Sequence, residues 1–139
     1  MKIKLAETDA EIEQCFPVMV QLRPHLTLAA FLKRIHIQRE EGYQLAFVED
    51  EGRVTAVAGF RIMEMLAHGR TLYVDDLVTD EACRSKGYGD MLMDWLTEFA
   101  RVEECVELQL DSGVQRFRAH AFYFRKGMHI SSYHFARKL

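Results

Sequence analysis

Proline and cysteine are scarce in this chain: two and three among 139 residues. The cysteines, Cys15, Cys83 and Cys105, are odd in number, widely spaced and free of any CxxC pair. That pattern excludes a disulfide framework and a zinc site, and it points to reduced thiols in a cytoplasmic protein. No apolar run approaches the length of a membrane-spanning helix, so no membrane partner is expected. The opening MKIKLAETDAEIEQ lacks the apolar core and small-residue cleavage site of a secretory signal. The six histidines (His25, His36, His68, His120, His129 and His134) form neither HxH nor HExxH, so no metal is expected. GxSxG is missing, which argues against a serine hydrolase. GxGxxG and GxxxxGK[ST] are missing too, which argues against a dinucleotide fold and a nucleoside triphosphatase.

What is present is an ordinary globular balance, 49% apolar and 28% charged. With no linker, repeat or low-complexity tract, residues 1–139 are expected to form a single domain. A chain of this length can bury roughly 70% of its unfolded surface without a covalent staple. Eighteen basic residues against 21 acidic ones leave a net charge of −3. The distribution is uneven: residues 112–139 hold six basic residues (Arg116, Arg118, Arg125, Lys126, Arg137, Lys138) and no acidic one. The remaining 111 are therefore strongly acidic. The basic quarter suits a phosphorylated ligand or serves solubility. It lacks the aromatic–basic interleaving of a nucleic-acid groove, so no nucleic acid is expected.

Ile3 and Leu5 alternate with lysines, as in a short strand. Thr8 and Glu11 form a capping box before a helix facing inward through Ile12, Cys15, Phe16 and Met19. Arg23-Pro24-His25 ends it, and Thr27 caps a second helix with Leu28, Phe31, Leu32 and Ile35 on one face. Gln44–Glu49, Arg53–Met63 and Thr71–Thr79 read as three strands joined by short turns, an antiparallel meander. A glycine-containing loop opens a helix from Gly87 to Arg101 with Leu92, Trp95, Leu96 and Phe99 buried. Val106–Leu110 is a buried strand. Val114–Lys126 is helical, with Val114, Phe117, Ala121 and Phe124 inward and Gly127 as terminator. His129–Ala136 is a closing strand. The order β-α-α-β-β-β-α-β-α-β implies an α+β fold: a mixed, mostly antiparallel sheet with helices on both faces. Its strand–helix–strand unit from Thr71 to Leu110 is a parallel crossover, a place where ligands gather.

The most informative residues are Arg84-Ser85-Lys86-Gly87-Tyr88-Gly89, lying between a strand and a helix. Two glycines let backbone N–H groups converge, and the helix N-terminus adds roughly half a positive charge. Such a loop either cradles a pyrophosphate or simply turns the chain with basic residues flanking it. Upstream, Tyr73-Val74-Asp75-Asp76-Leu77-Val78-Thr79 places two carboxylates side by side in an apolar strand. Neighbours on a strand face opposite sides, so one of the two can face a substrate cleft. Each either accepts a proton, attracts a cationic amine, or is tied to a backbone N–H or an arginine. Glu64 is a weaker candidate.

Strand, loop and helix together resemble the core motif of the GNAT superfamily of N-acetyltransferases, [RQ]-x-x-G-x-[GA], with Arg84, Gly87 and Gly89 at the fixed places. Phe122-Tyr123-Phe124-Arg125-Lys126-Gly127-Met128 is similar to the family's "fYeklGF" ending, and Ala119 also fits. Arg116 stands where the family often has asparagine, and Met128 replaces the usual phenylalanine. The resemblance spans the chain by element order and is specific at these two motifs.

It implies acetyl-CoA as cosubstrate, with the pyrophosphate on the backbone N–H groups of Ser85, Lys86, Gly87, Tyr88 and Gly89 beside Arg84. It implies a pantetheine arm along Leu77, Val78 and Thr79, with the amide near Val78 stabilising the oxyanion. Arg125 and Lys126 either meet the nucleotide or are solvated charges at a helix end. Tyr123 is implied as general acid for the leaving thiolate, a phenol near pKa ~10 serving a thiol near ~8.5; otherwise it is a core tyrosine. His120 either assists it or is a surface histidine. Asp75 and Asp76 remain the candidate bases, with a water wire as alternative. Cys83, beside the loop, is the one residue that could supply a covalent route; otherwise attack is direct, in a ternary complex. The expected acceptor is a primary amine of a small molecule, with a protein amine second; a homodimer is common in the family. A non-catalytic acyl-CoA-binding module is the alternative from another class.

Overall fold

Lys2–Leu5 forms strand β1, as its alternation predicts, in a computed structural model that describes every residue from Met1 to Leu139. Helix α1 (Asp9–Leu22) opens on the expected capping box: Thr8 accepts from the Glu11 amide, and the Glu11 carboxylate accepts from the Thr8 amide. Helix α2 (Leu28–Glu40) is capped by Thr27. Strands β2 (Gln44–Asp50), β3 (Arg53–Met65) and β4 (Gly69–Thr79) follow as the antiparallel meander, with β1 paired to β2. Helix α3 (Tyr88–Val102) then returns the chain to β5 (Glu107–Leu110), giving the sheet order β1-β2-β3-β4-β5. The Val106 N–H donates to the Arg70 carbonyl, so β4 and β5 start side by side and run the same way. One parallel pair in an otherwise antiparallel sheet is the mixed α+β architecture expected.

Two compact units make up the chain, Met1–Gln109 and Leu110–Leu139. In the first, Leu45, Phe47 and Val57 pack with Ile12, Cys15, Met19, Phe31 and Ile35 of the first two helices. Side chains alternate across a strand, so Phe60 and its neighbours on the opposite face meet α3 instead. There the Phe60 ring meets Trp95 edge-on at 6.0 Å and Phe99 at 5.2 Å. Helices therefore cover both faces of this sheet, and its buried strands are apolar nearly throughout.

The second unit departs from expectation. Its helix α4 spans only Phe117–Arg125, and Arg116 precedes it with no side-chain cap bond. Gly127 terminates it as read, at φ +82°, with the Met128 N–H reaching back to the Tyr123 carbonyl. Val114, Phe117, Ala121 and Phe124, expected inward, are exposed, and Val106 before β5 is exposed too. No strand forms over His129–Ala136. A strand needs a neighbour's backbone, and no backbone hydrogen bond is made by residues 129–139.

Candidate active site

The end of β4 is anchored before the glycine loop begins. The Asp80 carboxylate accepts from Arg53 at 2.6 Å, Gln21 at 3.2 Å and the Ala82 amide at 3.1 Å, and Arg53 holds it below the usual carboxylate range. Arg84 to Gly89 follow a single turn of 3₁₀ helix, Glu81–Cys83. Within the loop Ser85 (φ +67°) and Gly87 (φ +84°) both adopt the left-handed region, which curls successive amides toward one side. None of the backbone amides from Arg84 to Gly89 donates to another protein group. Gly87 caps α3 without a side-chain bond, so the helix's first amides are left open. Arg84 and Lys86 lie exposed on the same loop. Tyr88 offers only its backbone: its hydroxyl donates to Asp50 at 2.6 Å, which pushes the phenol up to about 12, and the ring is buried.

β4 is eleven residues long and β5 four, so β5 runs out beside the first half of β4. The backbone from Asp75 to Thr79 therefore pairs with β3 on one side and has no strand on the other. Which amides face that open side follows from the register. The Asp80 N–H donates to the Thr55 carbonyl, and antiparallel pairs alternate between bonded and non-bonded, so Val78 opposite Val57 is again a bonded pair. The Val78 amide is consequently turned toward β3. The amides of Leu77 and Thr79 point to the open edge instead.

Asp75 and Asp76 do not divide between two faces as strand alternation implies. The register shifts so that Gly59 faces Asp76 while Phe60 faces Val74, leaving Asp75 as the extra residue of a β-bulge. Both carboxylates enter one network. Arg61 grips Asp75 in a two-pronged pair at 3.0 and 2.9 Å. Asp76 accepts from Arg23 Nε at 2.9 Å and from the Tyr43 hydroxyl at 2.9 Å, and Arg23 also donates to the Asp75 carbonyl at 3.0 Å. Burial pushes the Asp75 carboxyl up, against the opposing pull of Arg61. Burial likewise raises the Tyr43 phenol, helped by Asp76. Arg61 stacks over the Tyr43 ring, 5.6 Å from its centroid.

The network brings in three residues that motif reading does not single out: Arg23, Tyr43 and Arg61. A glycine inside a strand was the available signal, since it marks close approach of another group. A Cβ on Gly59 would lie 1.7 Å from the Tyr43 hydroxyl oxygen.

Other candidates are occupied differently. Glu64 is exposed and pairs with Arg70 at 3.7 Å. Cys83, the last residue of the 3₁₀ turn before the loop, is buried. In the second unit, a His120 ring nitrogen lies 2.8 Å from the Gly113 carbonyl, and the ring meets Phe117 edge-on. Tyr123 is half-buried; burial raises its phenol and the Arg116 guanidinium opposes that rise. Arg125 lies over the Phe122 ring, and Lys126 follows as the residue capping α4. Ser112, ahead of α4, has a buried hydroxyl with no hydrogen-bond partner.

Comparison with known proteins decides the family. The profile of the acetyltransferase (GNAT) family matches residues 6–129. The chain belongs to the GNAT family. Among its relatives is an uncharacterized N-acetyltransferase, YhdJ of Bacillus subtilis (strain 168), 34% identical over 137 residues, covering 97% of this chain and 96% of that protein. A putative acetyltransferase from Agrobacterium tumefaciens str. C58 superposes with a TM-score of 0.84 at 21% identity, over the whole of both chains. Glucosamine-6-phosphate N-acetyltransferase from Arabidopsis thaliana does so at 0.77, also 21% identical, over 99% of each. At such identity these two structures establish the fold.

Proposed function

We propose that this GNAT member is an acetyl-CoA-dependent N-acetyltransferase, one domain over residues 1–139, that acetylates a primary amine of a small molecule in the cytoplasm. The observation that carries this reading is the row of unpaired amides from Arg84 to Gly89 at the uncapped start of α3. A diphosphate fits that set, because convergent N–H donors and a helix N-terminus favour an anion without a formal cation. Arg84 and Lys86 add charge. The outward amides of Leu77 and Thr79 extend the donor set along the strand edge, where an amide-bearing arm can pair as another strand would. One of them would also donate to a thioester carbonyl as negative charge develops on it.

An amine attacks only after losing its proton. Asp75 is the stronger candidate base, since its half-buried carboxyl is raised and binds a proton more readily than an ordinary aspartate. Asp76, already holding Arg23 and Tyr43, is better suited to orienting the cluster and attracting a cationic amine. Tyr123 is the proposed acid that returns a proton to the departing thiolate. The excess of acidic residues in Met1–Gln109 favours a cationic acceptor. Arg125 and Lys126 are assigned to the nucleotide end, and no nucleic acid is expected as partner.

The decisive experiment is thiol release from acetyl-CoA across a panel of polyamines, amino sugars, lysine derivatives and peptides with free N-termini. A small amine should release CoA in a single displacement, with no acetyl-enzyme detected by mass spectrometry. The alternative, an acyl-CoA-binding module without turnover, is favoured by one observation: both candidate bases are already in ion pairs. It would be established if acetyl-CoA raised the melting temperature while no amine released CoA.

A further inference from the structure

Every amide of the turn that leads into the glycine loop is spent. The Asp80 N–H donates to the Thr55 carbonyl, the Ala82 N–H to the Asp80 carboxylate and the Cys83 N–H to the Asp80 carbonyl. The Glu81 N–H is served from a helix: it donates to the side-chain carbonyl of Gln21 at 2.9 Å, across 60 residues of sequence. From Arg84 to Gly89, by contrast, no amide donates to a backbone carbonyl. The change from spent to open donors falls between Cys83 and Arg84, and the bond that completes the spent side comes from α1.

Gln21 stands on the last turn of that helix. Its Nε2 donates to the Asp80 carboxylate at 3.2 Å and to the Pro17 carbonyl, one turn back, at 3.3 Å. A carboxamide can accept from an N–H and donate to a carboxylate together; a carboxylate lacks the second ability and an ammonium the first. The side chain is exposed, so water would satisfy it equally well, yet all three bonds go to protein. The helix end is itself fixed. Two residues on, Arg23 donates to the Asp76 carboxylate at 2.9 Å and to the Asp75 carbonyl at 3.0 Å. The last turn of α1 therefore grips β4 on either side of Leu77, Val78 and Thr79, Arg23 before them and Gln21 after.

We propose that Gln21 is a positioning residue for the coenzyme's diphosphate: it fixes Asp80 and Glu81 as the footing from which the open amides of the loop are aimed. It touches no reacting atom. Footing matters here because Ser85, two residues beyond the turn, holds φ +67°. That conformation is unfavourable for a residue with a Cβ and persists where the flanking structure dictates it. The proposal rests on the acetyl-CoA reading above, and adds to it a residue on a helix that supplies none of the proposed donors.

Gln21→Met and Gln21→Ala remove the carboxamide and leave a good helix former at an exposed site, so both variants should fold. In each, CoA measured by calorimetry should bind about tenfold more weakly than in the parent, the worth of about one well-placed hydrogen bond. Pantetheine, the arm of CoA without its phosphates, should bind variant and parent within about twofold, because its donors share no bond with Gln21. That binding is read from the Leu77 and Thr79 amide shifts. The Glu81 amide, slow to exchange in the parent, should exchange faster in both variants. Variants that keep the parent's affinity for CoA while the Glu81 amide quickens would overturn the proposal and leave the acetyl-CoA reading standing. Equal losses for CoA and pantetheine would overturn it as well, Gln21 then supporting the strand edge as a whole. A parent that binds no CoA would overturn that reading and this inference with it.

Discussion

Gly59→Ala tests whether the carboxylate network is built on close packing between β3 and Tyr43. The backbone of Gly59 is ordinary; space is what excludes a side chain. The added methyl would sit 1.7 Å from the Tyr43 hydroxyl oxygen, 2.3 Å from Cζ and 2.7 Å from Cε2, so the ring has to move. Tyr43 is only 3% exposed, so any movement of its ring disturbs packed neighbours. Overpacking a tight core costs about 1–3 kcal/mol. Displacing the ring also breaks the bond from its hydroxyl to Asp76, adding about 1–3 kcal/mol for a buried charged acceptor left short of a donor. The expected loss is therefore about 2–5 kcal/mol, read as a lower urea midpoint at unchanged slope. Tyr43→Leu removes the ring and with it the clash. In that background Gly59→Ala should cost less than about 1 kcal/mol, a coupling that two neighbouring sites can show and distant ones cannot. Equal cost in both backgrounds, or a harmless Gly59→Ala, would mean that Tyr43 does not lie where it has been placed.

Further expectations follow from the same reasoning. Tyr123→Phe should lower kcat at least tenfold, of the order a general acid contributes, while acetyl-CoA binding measured by calorimetry stays within twofold; unchanged kcat would remove Tyr123 from the chemistry. Gly87→Ala forces a side chain into the left-handed region with nothing near it to clash, so it should cost only about 1 kcal/mol of stability. Acetyl-CoA affinity should fall much further, because the amides on either side are the proposed ligands. Asp80 has a carboxyl pKa lowered in the folded state, chiefly by Arg53. Its contribution is thus complete above the unfolded value near ~4 and is lost as pH falls through the folded one. Asp80→Asn should lower stability at pH 7 and flatten the acid limb of the stability curve; an unchanged acid limb would show the pair to be inert. Asp75→Asn should reduce kcat most above the raised Asp75 pKa, where the carboxylate accepts the amine's proton, and least below it, so that the rising limb of the pH–rate profile disappears.

Local signals carried most of the fold. Thr8 and Glu11 sit three apart before an apolar period, and the helix starts there; Thr27 does the same for α2. Turn residues at Glu51-Gly52 and His68-Gly69 separate strands that pair as neighbours. The turn from β4 into α3 was legible because glycine, charge and position between strand and helix agree within six residues. What could not be read depends on partners far along the chain. The bulge at Asp75 arises from register against β3, so alternation along β4 alone gave the wrong face. The Arg23–Asp76 and Tyr43–Asp76 bonds span 53 and 33 residues, beyond any periodicity. The amide direction at Val78 required the single bond from Asp80 to Thr55 that sets the parity of the ladder. The closing strand was misread for a related reason. His129–Ala136 has strand composition, but composition does not supply the second backbone that turns an extended segment into a strand.

The central claim is that amides at the start of α3 and on the outer edge of β4 are the acetyl-CoA ligands, and nitrogen–proton correlation NMR addresses each amide by name. Titrating CoA into the labelled protein should move Ser85 to Gly89 together with Leu77 and Thr79, while Val78, bonded to β3, moves least among the residues at the end of β4. Saturable CoA binding that left the Ser85–Gly89 amides in place, or no binding at all, would contradict the account at its root.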